Sequence, residues 1–266
     1  MPSGRDLYWQ QRREVPAFRA LMRAMEARFL AELGPLPRPA LDVGCGDGQF
    51  ATTVWGSGRG RLEAGVDFDE TMLAEARERG AYDAVVRADA VRLPFPEASF
   101  GSVVCNSVLE HLPPLEAVLS EMGRVLRPGG LLAVTVPTDR LNDGLAGYRL
   151  LRAIGAAGAA RRYQAWFTRV QRHHHMYSPE EWQRRIEEAG FRVTRRTGYF
   201  PRGASTWFDP LHAWGVPDLV TRRLLGRWVL CPWRPAFRLE ERLLAGYVTQ
   251  TDPEVAGCCF LVAERA

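Results

Sequence analysis

The amino-acid sequence predicts an α/β fold: a doubly wound, mostly parallel sheet of seven strands with helices on both faces and a helical cap. Two observations support this prediction. Short apolar runs alternate with amphipathic segments over 40–137, and the alternation resumes over 178–198. Continuous apolar runs are typical of parallel strands that helices cover on both faces. The stretches 138–178 and 199–255 break the alternation, and we expect these two insertions to form the cap.

The N-terminal segment, residues 1–39, is predicted to be helical. Within it, residues 5–33 alternate charged and apolar positions, and the apolar ones from Phe18 to Leu33 recur at steps of three and four. This spacing predicts one amphipathic helix. The stretch GPLPRP at 34–39 then ends the helix, because glycine and proline interrupt helical hydrogen bonding.

Alternating strands and helices follow along the chain, as repeated βα units require. The predicted strands are 40–44, 62–67, 84–89, 99–106, 131–137, 191–199 and 257–265. The predicted helices are 48–56, 69–79, 114–126 and 178–191. Asp69 is a candidate N-cap, and Ser178 followed by Pro179 is a strong helix start signal. A turn is expected at RPGG, residues 127–130.

The composition of the chain excludes several classes of enzyme. Its 266 residues fit one large domain, and its 35 basic residues are all arginine. Without lysine there is no Schiff-base chemistry, and neither a P-loop NTPase nor a protein kinase could form its phosphate site. The five cysteines lack CxxC spacing and predict neither a disulfide framework nor a zinc site. We expect a cytoplasmic protein without a signal peptide or a transmembrane segment.

Charge is distributed unevenly along the sequence. Residues 140–240 contain 18 arginines against 8 acidic residues, although the net charge of the whole chain is only +4. The remainder is therefore net acidic. This separation suggests that a basic insertion and an acidic core have different tasks.

The most informative stretch is LDVGCGDGQF, residues 41–50, in which a predicted strand ends at a turn with three glycines. Glycine lets the backbone turn sharply and allows a ligand to approach without a Cβ in the way. Residues 46–51 also fit the G-x-G-x-x-A pattern of dinucleotide sites, with Asp67 placed to bind a ribose. However, Asp42 directs a carboxylate towards the turn, which disfavours a pyrophosphate and favours an ammonium or sulfonium group.

Four motifs, in order and with suitable spacing, carry a resemblance to a known family. They are LDVGCGDG (41–48), GVDFDETML (65–73), RADAVRLPFPEASFGSVVCNSVLEHL (87–112) and LRPGGLLAVTVP (126–137). With them the sequence resembles the class I S-adenosylmethionine-dependent methyltransferases, and more narrowly the ubiquinone/menaquinone-type small-molecule group. The resemblance implies S-adenosyl-L-methionine as the cofactor. It covers 40–137 well and 178–198 and 257–265 more loosely.

The resemblance also implies a set of cofactor-binding residues. They are Asp42, Gly44, Gly46, Gly48, Asp67, Phe68, Met72, Asp89, Ala90, Asn106 and Ser107. The glycines would line the methionine end of the cofactor, whose amino acid moiety Asp42 would orient. Asp67 would accept both ribose hydroxyls, and Asp89 would accept the adenine amino group. Phe68 and Met72 would pack on the adenine.

Methyl transfer from a sulfonium is an in-line displacement, and a base is needed only when the acceptor carries a proton. His111, in LEHL, is the best-placed imidazole, while Asn106 and Ser107 would lie along the acceptor channel. Among the histidines of RHHHMYSPEEW (172–182), we take His174 as a second residue that contacts the acceptor. Packing is the alternative role for each histidine. Consecutive histidines point in different directions, so no metal site is predicted.

The motifs leave the acceptor open. We predict methyl transfer to an O, N or C atom of a small or lipid-like metabolite. After the fourth strand, the sequence Asn106-Ser-Val-Leu differs from the Asn/Asp-Pro-Pro-Tyr of adenine-N6 methyltransferases and argues against a nucleic-acid base. Two alternatives remain: an RNA methyltransferase, which clustered arginine would suit, and a methyltransferase-like binding protein without turnover. An NAD-dependent oxidoreductase is disfavoured, because a chain without lysine cannot supply the proton-relay pair Tyr-x-x-x-Lys.

The segment 219–244 mixes leucine, tryptophan and arginine and has three interpretations. It could form a helical lid over a bulky or anionic acceptor, with Arg222, Arg223 and Arg227 gripping the anion. It could be a peripheral membrane helix that reaches a lipid-linked substrate. The third interpretation is a cap with a basic surface and tryptophans in its core.

Overall fold

The structure is a computed structural model that describes residues 3–56, 60–251 and 256–266. The chain divides into two compact units. The first, the helical unit, comprises residues 1–28, 139–173 and 198–258. The second, the sheet unit, comprises residues 29–138, 174–197 and 259–266. Two predicted boundaries, the start of 1–39 and the end of 199–255, lie outside the described residues.

The sheet unit is organised around parallel strands. The strands are β1 (Ala40–Val43), β2 (Leu62–Asp67), β3 (Tyr82–Arg87), β4 (Phe100–Asn106), β5 (Leu126–Pro137), β6 (Phe191–Tyr199) and β7 (Cys258–Arg265). Over the described residues they form a seven-stranded sheet in the order β3-β2-β1-β4-β5-β7-β6. β1 is parallel to both β2 and β4, and the pairs β2–β3 and β4–β5 are parallel as well. The predicted α/β fold is confirmed.

Helices make up most of the rest of the described chain. They are α1 (Gly4–Arg12), α2 (Ala17–Glu32), α3 (Gln49–Trp55), α4 (Glu70–Arg79), α5 (Leu115–Val125), α6 (Ala146–Ala153), α7 (Ala157–Val170), α8 (Pro179–Glu188), α9 (Arg202–Trp214), α10 (Val216–Leu225) and α11 (Arg238–Leu244). The helical unit contains α6 and α7 from the first insertion and α9 to α11 from the second. No helix among the described residues has both the length and the apolar character that crossing a bilayer requires.

The central strands consist of buried residues, which explains their apolar sequences. Every residue of β1 and of β4 is buried, and Leu41 lies opposite Val103 in their parallel register. Trp182 of α8 is fully buried in the same core, and its Nε1 donates a 2.9 Å hydrogen bond to the Pro137 carbonyl. A buried indole needs such an acceptor. The core therefore fixes the strand ends from which the site residues extend.

Both predicted helix caps are confirmed. Oδ1 of Asp69 accepts hydrogen bonds from the amides of Thr71 at 2.9 Å and Met72 at 3.4 Å, at the start of α4. Oγ of Ser178 accepts one from the Glu181 amide at 3.1 Å, at the start of α8. Each cap satisfies a backbone donor that the helix itself cannot, which is typically worth about 1 kcal/mol.

The single helix predicted over residues 5–33 is wrong. The segment forms α1 and α2, with a break at residues 13–16. Pro16 has no amide hydrogen, and the residue before a proline avoids the helical region. Instead, the Arg12 guanidinium donates a 3.1 Å hydrogen bond to the Val15 carbonyl in the break, and the Pro16 carbonyl accepts from the Ala20 amide in α2 at 2.8 Å.

The turn predicted at RPGG lies inside a strand. β5 begins at Leu126, five residues earlier than predicted, and Leu126 lies opposite Phe100. The next register pair joins Leu131 to Ser102, so β5 has extra residues at this point and forms a bulge. Gly129, with φ of +72°, provides the left-handed backbone in the bulge. The predicted turn at 127–130 is therefore wrong, because the pairing of β5 with β4 that includes these residues is not visible in the sequence.

Candidate active site

Between β1 and α3 the chain makes a turn in which three glycines have left-handed backbone angles. The φ angles are +79° at Gly44, +53° at Gly46 and +72° at Gly48. A Cβ on Gly44 would lie 2.8 Å from Cγ1 of Val108, and one on Gly48 would lie 3.2 Å from Cα of Ala76. A Cβ on Gly46 would meet no atom within 4 Å. Gly44 and Gly48 therefore permit close packing, whereas Gly46 borders open space that a ligand can enter.

The carboxylate of Asp67, at the carboxyl end of β2, is held by two backbone amides. Its Oδ2 accepts a hydrogen bond from the Gly46 amide at 2.9 Å, and its Oδ1 accepts one from the Asp69 amide at 3.0 Å. The side chain is half-buried. Since each carboxylate oxygen has two acceptor positions, both oxygens can accept a further donor. The structure thus brings Asp67 and the glycine turn together.

Asp42, in β1, has a buried partner that the sequence did not reveal. The Tyr82 hydroxyl donates a 2.6 Å hydrogen bond to Oδ2 of Asp42, and both side chains are buried. Burial, and next to it the negative charge of Asp42, raises the pKa of Tyr82 well above its ordinary value. The hydroxyl therefore stays protonated and donates over the whole neutral range. Asp42 is consequently anchored within the sheet, one strand away from Asp67.

Asp89 lies in the turn that follows β3. Its side chain is exposed, and its Oδ1 accepts a 3.1 Å hydrogen bond from the Val91 amide. The Ala88 amide donates a 3.0 Å hydrogen bond to the Asp67 carbonyl, which ties this turn to the end of β2. Ala90, next to Asp89, is half-buried. Two acidic side chains therefore follow neighbouring strands on one edge of the sheet.

An exposed aromatic ring lies directly after Asp67. The side chain of Phe68 is 71% exposed, which is unusual for a phenylalanine beside a folded core. Its backbone is fixed, because Nε of Arg87 donates a 3.1 Å hydrogen bond to the Phe68 carbonyl. Met72, in the first turn of α4, is half-buried. An apolar surface is thus available next to the acidic strand ends.

At the carboxyl end of β4, Asn106 and Ser107 share one partner. Oγ1 of Thr135, in β5, donates to Oδ1 of Asn106 at 2.8 Å and accepts from the Ser107 amide at 3.0 Å. Ser107 has φ of +53°, a strained conformation for a residue with a Cβ. Such strain is typical of functional turns, and here Thr135 holds it in place. Thr135 was not among the residues predicted from the sequence, although it is the polar position in the apolar run LLAVTVP.

His111 closes a short 3₁₀ turn, Leu109–His111, that follows β4. Its Nε2 lies 3.8 Å from Oε1 of Glu110. The imidazole is exposed, with 41% of the side chain accessible, whereas the Glu110 carboxylate is buried. A buried carboxylate beside an imidazole orients the ring and stabilises the charge that it acquires on taking a proton. Glu110, which precedes His111 in the LEHL motif, was not predicted from the sequence as a site residue.

The histidine cluster is connected to the same turn through its backbone. The amide of His174 donates a 2.7 Å hydrogen bond to the Glu110 carbonyl, and the His174 side chain is exposed. His175 instead has a packing role. Its Nε2 lies 2.9 Å from the Leu112 carbonyl, which can only accept, so Nε2 donates and Nδ1 accepts from the Tyr177 hydroxyl at 2.9 Å.

Comparison with known proteins identifies the family. A methyltransferase-domain family matches residues 41–134. A probable S-adenosylmethionine-dependent methyltransferase of Mycolicibacterium smegmatis is 27% identical over 238 residues, which cover 90% of this chain and 77% of that protein. An uncharacterized methyltransferase of Mycobacterium tuberculosis (strain H37Ra) is 34% identical over 182 residues, covering 64% of this chain and 67% of that protein. This chain belongs to the class I S-adenosylmethionine-dependent methyltransferases.

Solved structures support the fold of this methyltransferase. The geranyl diphosphate C-methyltransferase of Streptomyces coelicolor A3(2), in complex with Mg²⁺, geranyl diphosphate and S-adenosyl-L-homocysteine, matches with a TM-score of 0.57 and 16% identity. The match covers 91% of this chain and 78% of that chain. Other mycobacterial methyltransferases match over shorter stretches, for example 54% or 36% of their own length. S-Adenosyl-L-methionine is the cofactor of this methyltransferase, and its activity is methyl transfer.

Proposed function

We propose that this methyltransferase transfers the methyl group to an O, N or C atom of a small or lipid-like metabolite. The observation that carries the proposal concerns the residues after β4. The strained Ser107 and the exposed imidazole of His111 are found there, where adenine-N6 methyltransferases have a Pro-Pro-Tyr turn that binds the nucleobase. The structural neighbour named for geranyl diphosphate uses the same fold on a small isoprenoid. The resemblance to ubiquinone/menaquinone-type enzymes favours the same class of acceptor.

The cofactor residues expected from the resemblance have geometry that fits this role. Asp67 would accept the two ribose hydroxyls, because its oxygens are fixed by the Gly46 and Asp69 amides and retain acceptor capacity. The exposed ring of Phe68 would cover one face of the adenine. Asp89, exposed at the end of the neighbouring strand, would bind the adenine amino group. When bound, the cofactor supplies an electrophilic methyl group on a sulfonium.

The remaining residues near the glycine turn would position the methionine end and the acceptor. Asp42 carries a buried negative charge that attracts the ammonium and sulfonium groups, and Tyr82 holds it in one orientation. Asn106 ends β4 and Ser107 follows it, and β4 is paired with β1. Both side chains are fixed to Thr135, so they form a rigid wall. A rigid wall aligns an acceptor with the methyl group and excludes water.

His111 is proposed as the base for an acceptor that carries a proton. The imidazole is exposed, so it can reach a substrate, and the adjacent Glu110 carboxylate would stabilise the imidazolium formed after proton transfer. His174, whose amide is bonded to the Glu110 carbonyl, is proposed to contact the acceptor. An acceptor without an acidic proton, such as a tertiary amine, would need no base.

The test is a screen in which radiolabelled S-adenosylmethionine is incubated with phenols and alcohols, amines, isoprenoid diphosphates and quinones, and transfer RNA as the competing class. The proposal expects label in one of the small-molecule classes and none in RNA. For a hydroxyl acceptor, His111→Gln should lower kcat by about 100-fold or more while S-adenosylhomocysteine affinity is unchanged. Label in RNA alone would overturn the proposed acceptor class.

We also propose that the enzyme acts in the cytoplasm. The five cysteines are free thiols in the structure, as expected in a reducing compartment. A fluorescent fusion expressed in cells, followed by fractionation, tests this proposal. Recovery of the fusion in a periplasmic or secreted fraction would contradict it.

A further inference from the structure

Helix α10, in the helical unit, carries an apolar face that is mostly exposed. None of its residues is buried. Val216, Leu219, Val220 and Leu224 recur at helical spacing and lie on one face, and each is more than half exposed. An ordinary surface helix turns its apolar stripe towards the core. The exposed stripe of α10 departs from this arrangement and is available to a partner outside the chain.

Helix α11, in the same unit, repeats this arrangement. Leu239 and Leu243, one turn apart, are 70% and 49% exposed. Arg238 and Arg242, which directly precede these two leucines, are also exposed and line a pocket together with Arg5. A leucine pair and an arginine pair thus occupy adjacent faces of one short helix. Arginine heads beside apolar side chains are the composition of a helix that lies at a membrane surface.

The stretch that contains these two helices carries a net positive charge, because residues 214–243 contain six arginines and three acidic residues. Each of the three acids lies beside an arginine of the helical unit. Asp218 of α10 lies 3.6 Å from the Arg12 guanidinium. Glu240 of α11 lies 2.7 Å from the same arginine, and Glu241 is buried and lies 2.7 Å from Arg234. By contrast, Arg223 and Arg227 are exposed at the end of α10. Residues 214–243 therefore present apolar groups together with cations, a combination that complements an anionic surface.

Two exposed tryptophans lie in the same stretch of sequence as these helices, and one of them lines a cavity together with α11. Trp214, at the end of α9, is 72% exposed, and Trp233, before α11, is 63% exposed. The exposure of Trp233 contradicts the interpretation in which the cap buries its tryptophans. A cavity of about 270 Å³ is lined by Trp214, Leu239 and Leu243 among other apolar residues, so it opens among the exposed groups. Tryptophan is enriched where protein meets the lipid headgroup layer.

We propose that the surface formed by residues 214–243, the α10–α11 surface, binds the face of a membrane that contains anionic phospholipids. The apolar face of α10 and the tryptophans would enter the boundary between headgroups and acyl chains. Arg222 and Arg223, in the last turn of α10, and Arg227, just after the helix, would lie at the level of the lipid phosphates. The attachment is peripheral and does not depend on which acceptor the enzyme methylates.

The test is co-sedimentation of the full chain with vesicles of phosphatidylcholine alone and of phosphatidylcholine mixed with phosphatidylglycerol. The wild-type protein should bind the mixed vesicles, and binding should weaken as salt is raised. Leu219→Glu/Leu224→Glu should reduce the partition coefficient at least tenfold, on the basis of the lost apolar area and the added charge. The matched control is Leu150→Glu/Ile154→Glu, which replaces two similarly exposed apolar residues, one on α6 and one at its C-cap.

A second pair of variants tests the charges. Arg222→Gln/Arg223→Gln/Arg227→Gln should reduce partitioning on the order of 100-fold, and Arg161→Gln/Arg162→Gln/Arg169→Gln on α7 should change it little. S-Adenosylhomocysteine affinity, measured for every variant, shows that each one is folded. The proposal is overturned if the wild type sediments no more with mixed vesicles than without them, or if Leu219→Glu/Leu224→Glu binds like the wild type. A dimer in sedimentation velocity that this variant abolishes, without vesicle binding, would assign the surface to a second copy instead.

Discussion

The amide of Gly46 donates a 2.9 Å hydrogen bond to the carboxylate of Asp67, 21 residues further along the chain. This bond joins the turn after β1 to the end of β2. It means that the glycine with open space around it and the acid proposed to bind the ribose are one rigid element. A displacement of either residue should therefore change the affinity for the cofactor.

Variants of the glycine turn can separate an effect on stability from an effect on cofactor binding. Gly44→Ala should destabilise the fold by about 3 kcal/mol or more, because its Cβ would overlap the methyl groups of Val108. Gly46→Ala should cost only about 1 kcal/mol, the penalty of a left-handed alanine, yet weaken S-adenosylhomocysteine binding at least tenfold. Thermal unfolding and calorimetric titration measure the two effects.

The double variant Gly44→Ala/Val108→Ala provides the control for the packing argument. This double variant removes the methyl groups that the new Cβ meets. Its loss of stability should therefore be smaller than the sum of the losses measured for Gly44→Ala and Val108→Ala separately. Strictly additive losses would show that the overlap with Val108 is not the cause. Equal cofactor affinities for Gly46→Ala and the wild type would contradict the proposed approach of the ligand at Gly46.

The Tyr82–Asp42 hydrogen bond should make stability depend on alkaline pH. Burial, followed by the charge of Asp42, raises the pKa of Tyr82 in the folded state above its unfolded value of about 10. The folded state then binds this proton more tightly, so stability is constant below about pH 10 and falls as pH rises further. In Tyr82→Phe the fall should be smaller, and neutral stability lower by about 1–3 kcal/mol.

Tyr148→Phe is the matched control, since Tyr148 is only half-buried on α6. Denaturant unfolding at neutral and alkaline pH compares the variants. If Tyr82→Phe and the wild type lose stability equally above pH 10, the buried hydrogen bond does not control that titration.

The cysteines should differ sharply in reactivity. Burial raises the pKa of the Cys45, Cys105 and Cys259 thiols, in the last case to about 12. Because the thiolate is the reactive form, a raised pKa leaves very little of it at about pH 8. Cys231 is exposed. Mass spectrometry after alkylation should find one label on the native protein, at Cys231, and five after unfolding. A label on Cys45 in the native state would refute the account of its thiol.

The cap of α8 can be tested by local substitution. Ser178→Ala removes the acceptor for the Glu181 amide and should lower the free energy of unfolding by about 1 kcal/mol. Ser178→Asp should retain most of the stability, because aspartate caps equally well. The measurement is the midpoint of chemical denaturation. A Ser178→Asp variant as unstable as Ser178→Ala would mean that the serine acts by packing rather than by capping.

Much of the fold could be predicted from the sequence because its signals are local. The limits of β2 and β6 and the caps Asp69 and Ser178 follow from apolar runs and from side chains that bond their own helix. The break before Pro16 and the bulge at Gly129 were not predicted from the sequence. The regular spacing of apolar residues predicted one continuous helix over 5–33, and the bulge depends on how β5 pairs with β4.

The site shows the same division between local and long-range information. Motif spacing placed Asp67 next to the glycine turn. The partners that hold the site in place, Tyr82 and Thr135, come from other strands, and sheet register alone brings them there. The role of His175 could not be predicted either, since its ring is fixed by the Leu112 carbonyl, which lies far away in the sequence.

The most direct test of the account is calorimetric titration of the wild type, Asp67→Ala and Asp83→Ala with S-adenosylhomocysteine. Asp83 is an exposed acid on β3 that pairs with Arg61 on the surface, so its variant controls for the loss of a charge. We expect micromolar binding by the wild type and Asp83→Ala, and a loss of about 100-fold or more in Asp67→Ala, since two hydrogen bonds to a carboxylate disappear. Unchanged affinity in a folded Asp67→Ala variant would contradict the proposed cofactor site.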